Sequence, residues 1–325
     1  MPLTPTPVIT TSWIHSALDR LAGTPCGYHS QEPSAAEPTA LAALALLGAG
    51  RTADAQTHLR WLAAAQASDG SIAPFSELTQ SAWPTPQAIF AAAVAARAEL
   101  NLNDARPDTS LPASPSNVSQ LNHSPFNLQW ATQWLLSAAG KSVENSPDFG
   151  HNGQLIGWPW VIGTHSWQEP TAWSVLALKA VGQSDHPRTR EGVRLLVDRL
   201  LSTGGCNYGN TIVLGQQLRP HVEPTGLALL ALAGEEIDDL RIERSLQYLL
   251  ENLSIETTPI SLSYGLLGLA AHDRQPAAGS DWIESAYHRT VQRDAAPLVL
   301  ALLVLAAQGK DCPLIKYTSG KHTSI

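Results

Sequence analysis

Two kinds of apolar pattern alternate along the chain. The first is amphipathic and recurs at 13–22, 52–66, 127–139, 187–202, 239–252 and 281–293. In the fourth, Val193, Leu196, Val197 and Leu200 share one face at 3–4 spacing, and Arg190, Arg194, Asp198 and Arg199 lie off it. This is the signature of a half-buried helix. The second kind is apolar nearly all round and follows each of the first: EPTALAALALLG from Glu37, PQAIFAAAVAARAEL from Pro86, EPTAWSVLALKAVG from Glu169, EPTGLALLALAG from Glu223, PISLSYGLLGLAA from Pro259 and APLVLALLVLAA after Asp294. Helices of that kind belong in an interior. Proline in the first turn costs them little, because its missing N–H would be unpaired there, and Thr85 is the expected N-cap of the second.

Six amphipathic and six apolar helices form a closed set. The pattern predicts one all-α domain over 1–316, an (α/α)6 toroid with the apolar helices inside and the amphipathic ones shielding them from water. The Asn-, Ser- and Pro-rich segment 101–123 is read as a disordered insertion, and 317–325 as a flexible tail.

Composition narrows the function. A net charge of −8 without a Lys/Arg run argues against nucleic acid, and no apolar run is long enough to span a bilayer. The N-terminus lacks the basic and apolar regions of a signal peptide, and Cys26, Cys206 and Cys312 are widely separated. Together these point to a cytoplasmic protein. Without Cys-x-x-Cys or His-Glu-x-x-His spacing, neither a metal nor a cofactor is expected.

The loops between outer and inner helices carry a resemblance. Gln66-Ala67-Ser68-Asp69-Gly70-Ser71, Gly204-Gly205-Cys206-Asn207-Tyr208-Gly209 and Gly157-Trp158-Pro159-Trp160 resemble degenerate copies of the Gln-x-x-x-Gly-x-Trp repeats of squalene and hopene cyclases and of the protein prenyltransferase β subunit. Ser71 and Cys206 stand where those repeats have an aromatic. The resemblance covers most of 13–308 and implies a toroid that handles an isoprenoid or other hydrophobic ligand in a central cavity. If an enzyme, it would be a terpene-cyclase-like lyase or isomerase, or a prenyltransferase. The chain departs from the family at its chemistry. The Asp-x-Asp-Asp-Thr-Ala acid phrase is replaced by single carboxylates in Glu-Pro-Thr, and the Asp-x-Cys of the zinc site is absent. A non-catalytic toroid that binds a protein or peptide partner is therefore the alternative, with a carbohydrate-active toroid as a third reading.

All six inner helices should begin at one end of the ring. That places Glu37, Glu169 and Glu223 at one rim as candidate acids, with His165 and His221 as partners. Trp158, Trp160, Trp167, Trp173 and Tyr208 would form the ligand-binding wall. The structural alternative is that the glutamates serve the repeated fold, favoured by the helix dipole or bonded to loop backbone.

Overall fold

The computed structural model describes residues 12–75, 77–78, 82–104, 126–146 and 148–318. Outer helices α1 (Ser12–Leu21), α3 (Thr52–Ala65), α5 (Leu128–Ser137), α7 (Pro187–Asp198), α9 (Leu240–Asn252) and α11 (Gly279–Arg293) alternate with inner helices α2 (Ala36–Gly48), α4 (Thr85–Asp104), α6 (Gln168–Ala180), α8 (Val222–Leu232), α10 (Pro259–Ala271) and α12 (Pro297–Ala307). Each inner helix packs on the next, and α12 returns to α2, so the ring is closed. A short α13 (Pro313–Lys316) follows, and β1 (Ile212–Val213) with β2 (Gln216–Gln217) makes a small hairpin in the α7–α8 connection. The architecture is an (α/α)6 toroid. Among the described residues, no helix is long and apolar enough to cross a membrane.

Two boundaries differ from expectation. Helix α4 runs on to Asp104, into the segment expected to be disordered; residues 105–125 lie outside the described set. The first residues of the expected tail are docked: Tyr317 lies under the Arg97 guanidinium at 4.9 Å, and Thr318 is buried and bonds to the Leu314 carbonyl at 2.6 Å. Residues 319–325 are outside the described set.

The repeated Glu-Pro-Thr phrase owes its structural role to the threonine. Backbone N–H groups of loop residues Cys26, Ile72, Trp158 and Cys206 donate to the hydroxyls of Thr39, Thr85, Thr171 and Thr225 at 3.1, 2.9, 3.0 and 2.9 Å. Three of those hydroxyls also reach the carbonyl of the same loop residue. Each threonine therefore pins one loop strand to the first turn of the next inner helix. This corrects two sequence-based readings. Thr85 is the first helical residue and not an N-cap. Ile72, not Ser71, is the counterpart of Cys206.

The inner helices are buried on every side. Leu41, Leu44, Leu46, Ile89, Phe90, Leu176, Leu227, Leu230, Leu267 and Leu303 have no accessible surface. A water-sized void beside them would register as exposure, so the ring below the first helical turn is filled by its own side chains. Among the described residues, these side chains leave no room there for a hydrocarbon.

Small residues set the spacing where α8 meets α10. A methyl group at Gly226 would collide with the Tyr264 carbonyl, and one at Gly268 with the Gly226 backbone. The Glu-Pro-Thr-Gly variant of the phrase is thus dictated by this contact. At the opposite end of the ring, Lys179 on α6 donates to the carbonyls of Ala231 and Ala233 at 2.7 and 3.1 Å and pairs with Glu235 at 2.8 Å. Arg190 completes the cluster on Glu235 at 2.5 Å.

Two stability effects are expected. Gly226→Ala gains about 1 kcal/mol of helix propensity, but overpacking costs about 1–3 kcal/mol or more. The obstacle is backbone and has no rotamer to escape into, so a net lowering of the urea midpoint is expected; an unchanged or higher midpoint would refute the close contact. Glu235→Ala leaves Lys179 buried and without its carboxylate, which costs about 3–5 kcal/mol; Lys179→Met, which removes the buried charge, should restore much of that in the double variant.

Candidate functional site

The threonine pins fix the register of everything at the mouth of the ring. Two residues before each pinning threonine stand Glu37, Trp83, Glu169 and Glu223. Two residues after three of the four pinned loop positions stand Tyr28, Trp160 and Tyr208. The first set forms a floor on the tops of the inner helices, and the second an aromatic wall above it.

Glu37 is the most enclosed of the acids, at 9% exposure. It accepts a hydrogen bond from the Tyr28 hydroxyl at 2.8 Å, and the Gln87 amide lies 3.5 Å from its other oxygen. Burial raises its pKa, partly offset by the hydrogen bonds of Tyr28 and Trp83. The Gln87 amide is better satisfied when turned over. Its nitrogen then donates to the Trp83 and Pro84 carbonyls at 2.9 and 3.3 Å, and its oxygen faces Glu37. An amide oxygen facing a carboxyl is favourable when that carboxyl carries a proton.

Glu169 and Glu223 complete the floor and remain partly exposed. The pKa of Glu169 is raised well above the ordinary carboxylate value by burial, then by the charges of Glu37 and Glu223, and no hydrogen bond offsets these. Glu223 is raised by burial and by Glu37. Tyr264 lies buried close to all three, and its pKa is raised by burial first and then by Glu169, Glu37 and Glu223. The acids thus share one field, and ionising one makes the next harder to ionise. Such a set holds a proton at pH values where an isolated carboxylate has lost it, as a general acid requires. Among the described residues, no three His, Cys, Asp or Glu side chains are close enough to hold a metal ion.

The other candidate residues are placed differently. His221 is exposed, with its ring 5.1 Å from that of Tyr208. His165 is exposed and pairs with Lys141 through the backbone; it lines a separate cavity in the loops and not the acid floor. Trp158 is buried behind the wall, donating its indole N–H to the Leu135 carbonyl at 2.8 Å beneath the Arg188 guanidinium. Trp160 meets Trp83 edge-on at 5.7 Å, and both are partly exposed. Trp167 is partly exposed just before α6. Trp173 is buried against Tyr264, with ring centroids 6.5 Å apart. Cys206 is fully buried with its pKa pushed up to about 12 by burial. Asp69 forms a turn by accepting the Ser71 N–H at 2.9 Å.

Sequence reasoning missed Tyr28, Trp83, Gln87 and Tyr264. A signal for two of them was present: Trp83-Pro84-Thr85 is a fourth copy of the repeated phrase with indole in place of carboxylate, and Tyr28 has the same offset from Cys26 as Tyr208 from Cys206. A close thiol–imidazole pair, Cys26 and His58 at 3.6 Å, was also unforeseen. Both groups are buried, burial pushes the thiol to about 12, and burial lowers the imidazole. That combination suppresses the thiolate, so the pair is a packing contact.

No protein-family model and no curated protein matches the sequence. Among solved structures, the chain is similar to an endo-β-1,4-glucanase, CMCax, of Acetobacter xylinum, with a TM-score of 0.53 and 11% identity over 92% of this chain and 98% of that one. A likeness at this identity is one of fold. It supports the toroid class and does not single out the squalene-cyclase family.

The raised acids carry a sign for stability. A carboxyl with its folded pKa above the unfolded value of about 4.3 contributes fully below that value. It loses that contribution as pH rises through the unfolded value towards the folded one. Glu169→Gln should therefore raise the melting temperature at pH 8, with a gain of about 0.5–2 kcal/mol, and change little at pH 4. Thermal melts at the two pH values check this, and a destabilised variant at pH 8 would contradict the shared field.

Proposed function

We propose that the protein is an acid catalyst acting on an uncharged substrate laid across the three-glutamate floor, with Glu37, whose carboxyl is kept protonated by burial, as proton donor and Glu169 and Glu223 beside it. The observation that carries this reading is the gathering of three carboxyl groups at one solvent-reachable floor, each raised by burial, with Glu169 and Glu223 raised further by the charge of Glu37. Burial, hydrogen bonds and the acids themselves set that field, with no Lys or Arg contributing. A diphosphate would meet like charge there, which disfavours prenyl transfer.

The shape of the site favours a glycan. The ring is filled below the acids, so a substrate rests on a shallow bowl open to water. Partly exposed Trp83, Trp160, Trp167 and Tyr208 are suited to stacking on sugar faces. Cleavage of a glycosidic bond uses one protonated carboxyl on the leaving oxygen and a second carboxylate on the sugar. The endoglucanase named for the fold neighbour is consistent with this and does not establish it. A second reading, protonation of an isoprenoid, is favoured by the density of indole and phenol rings beside the acids, which would stabilise a carbocation, and by the repeat resemblance.

The test is incubation of the purified protein with β-1,4-linked glucose pentasaccharide and, separately, with squalene, with products read by mass spectrometry. Glycan turnover that falls about 10²–10⁴-fold in Glu37→Gln is expected. Turnover of squalene alone would move the assignment to the isoprenoid reading. Turnover of either substrate that is unaffected by Glu37→Gln would remove Glu37 as the acid. No turnover of either would overturn acid catalysis on these substrates and favour a binding scaffold.

A further inference from the structure

A second cavity, of about 670 Å³, lies beside the acid floor in the connections α5–α6 and α7–α8. Its wall includes Val143, Phe149 and Ile212, and its cationic side Arg199 and Lys141, with the His165 imidazole beside them. Arg199 is 5% exposed, yet its guanidinium is poorly satisfied. It makes one ion pair, with the adjacent Asp198 at 3.2 Å, and Asp198 is shared with the Asn152 N–H at 3.0 Å. The Arg199 Nε is buried without a partner. Burial depresses the guanidinium pKa to about 10. Holding an incompletely paired arginine out of water costs several kcal/mol, and an arginine fork is suited to an incoming carboxylate or phosphate. Lys141 and His165 are brought to the same cavity by a backbone bridge between their strands. Among the described residues, Asp148 is the one carboxylate in the lining, and it is exposed.

We propose that this cavity binds a small amphiphilic anion, a carboxylate or phosphate head on Arg199 and Lys141 with an apolar body against Val143, Phe149 and Ile212. Its volume falls in the range of small-molecule sites. The site is separate from the glutamates and does not depend on the activity proposed for them.

Decanoate is the probe, titrated calorimetrically into the whole protein beside uncharged decanamide. Saturable one-to-one binding of decanoate, at least tenfold tighter than decanamide, is expected. Lys141→Ala, an exposed position, should weaken decanoate severalfold, and Arg199→Gln should weaken it tenfold or more. Ile212→Trp, which fills the cavity, should abolish it, and Glu37→Gln in the acid floor should leave it unchanged. Equal affinity for decanoate and decanamide overturns the anion site, and does so without relying on the folding of the Arg199 variant. Loss of binding in Glu37→Gln, or its survival in Ile212→Trp, places the probe elsewhere and overturns the assignment.

Discussion

The hydrogen bond from a loop N–H to a buried threonine hydroxyl is the contact on which the working end of this toroid depends. The inner helices α2, α6 and α8 start without a side-chain cap, since Ala35, Trp167 and His221 precede them and offer none. Their first turns are instead held by the loop that crosses over them. The threonine serves helix and loop at once, and losing it would leave a buried N–H unpaired at a cost of about 1–3 kcal/mol. Because four loops are pinned the same way, their side chains fall at common heights above the ring. That shared height turns residues distant in sequence into a floor and a wall.

The rest of the ring is a support. Ala and Leu fill its interior, and the three floor glutamates lie at its mouth. The cluster of buried Lys179 and Glu235 side chains with the partly exposed Arg190 closes the other end by tying α6 and α7 to the C-terminal end of α8. It joins carbonyls that the helix end would otherwise leave unpaired. One end is thus cross-linked by charge, and the other carries carboxyl groups that repel one another. A protein tolerates such repulsion where the surrounding structure is already fixed.

Much of the fold was legible because the two helix types have different apolar periods and alternate without exception. The closed ring followed from counting them. The convergence of Glu37, Glu169 and Glu223 followed from the shared phrase, but the phrase misled about why it repeats. Glutamate is its visible feature, whereas the buried threonine is its structural one, and hydrogen-bonding partners thirteen or nineteen residues away leave no local pattern. The filled centre was not legible either, since alanine suits both a packed ring and an open tube, and only the distances between helices decide. Trp158 and Trp173 were grouped with Trp160 and Trp167 by residue type alone. Burial separates them, and burial depends on which way each loop turns after its pin.

The second copy of the phrase places an indole where the others place a carboxyl. Among the four pinned positions, Trp83 breaks the repeat that the phrase imposes. The mouth acquires a compass direction, with acid at α2, α6 and α8 and an aromatic gap at α4 between Glu37 and Glu169. A guest with unlike ends would meet unlike neighbours around the mouth, so its orientation is decided on arrival.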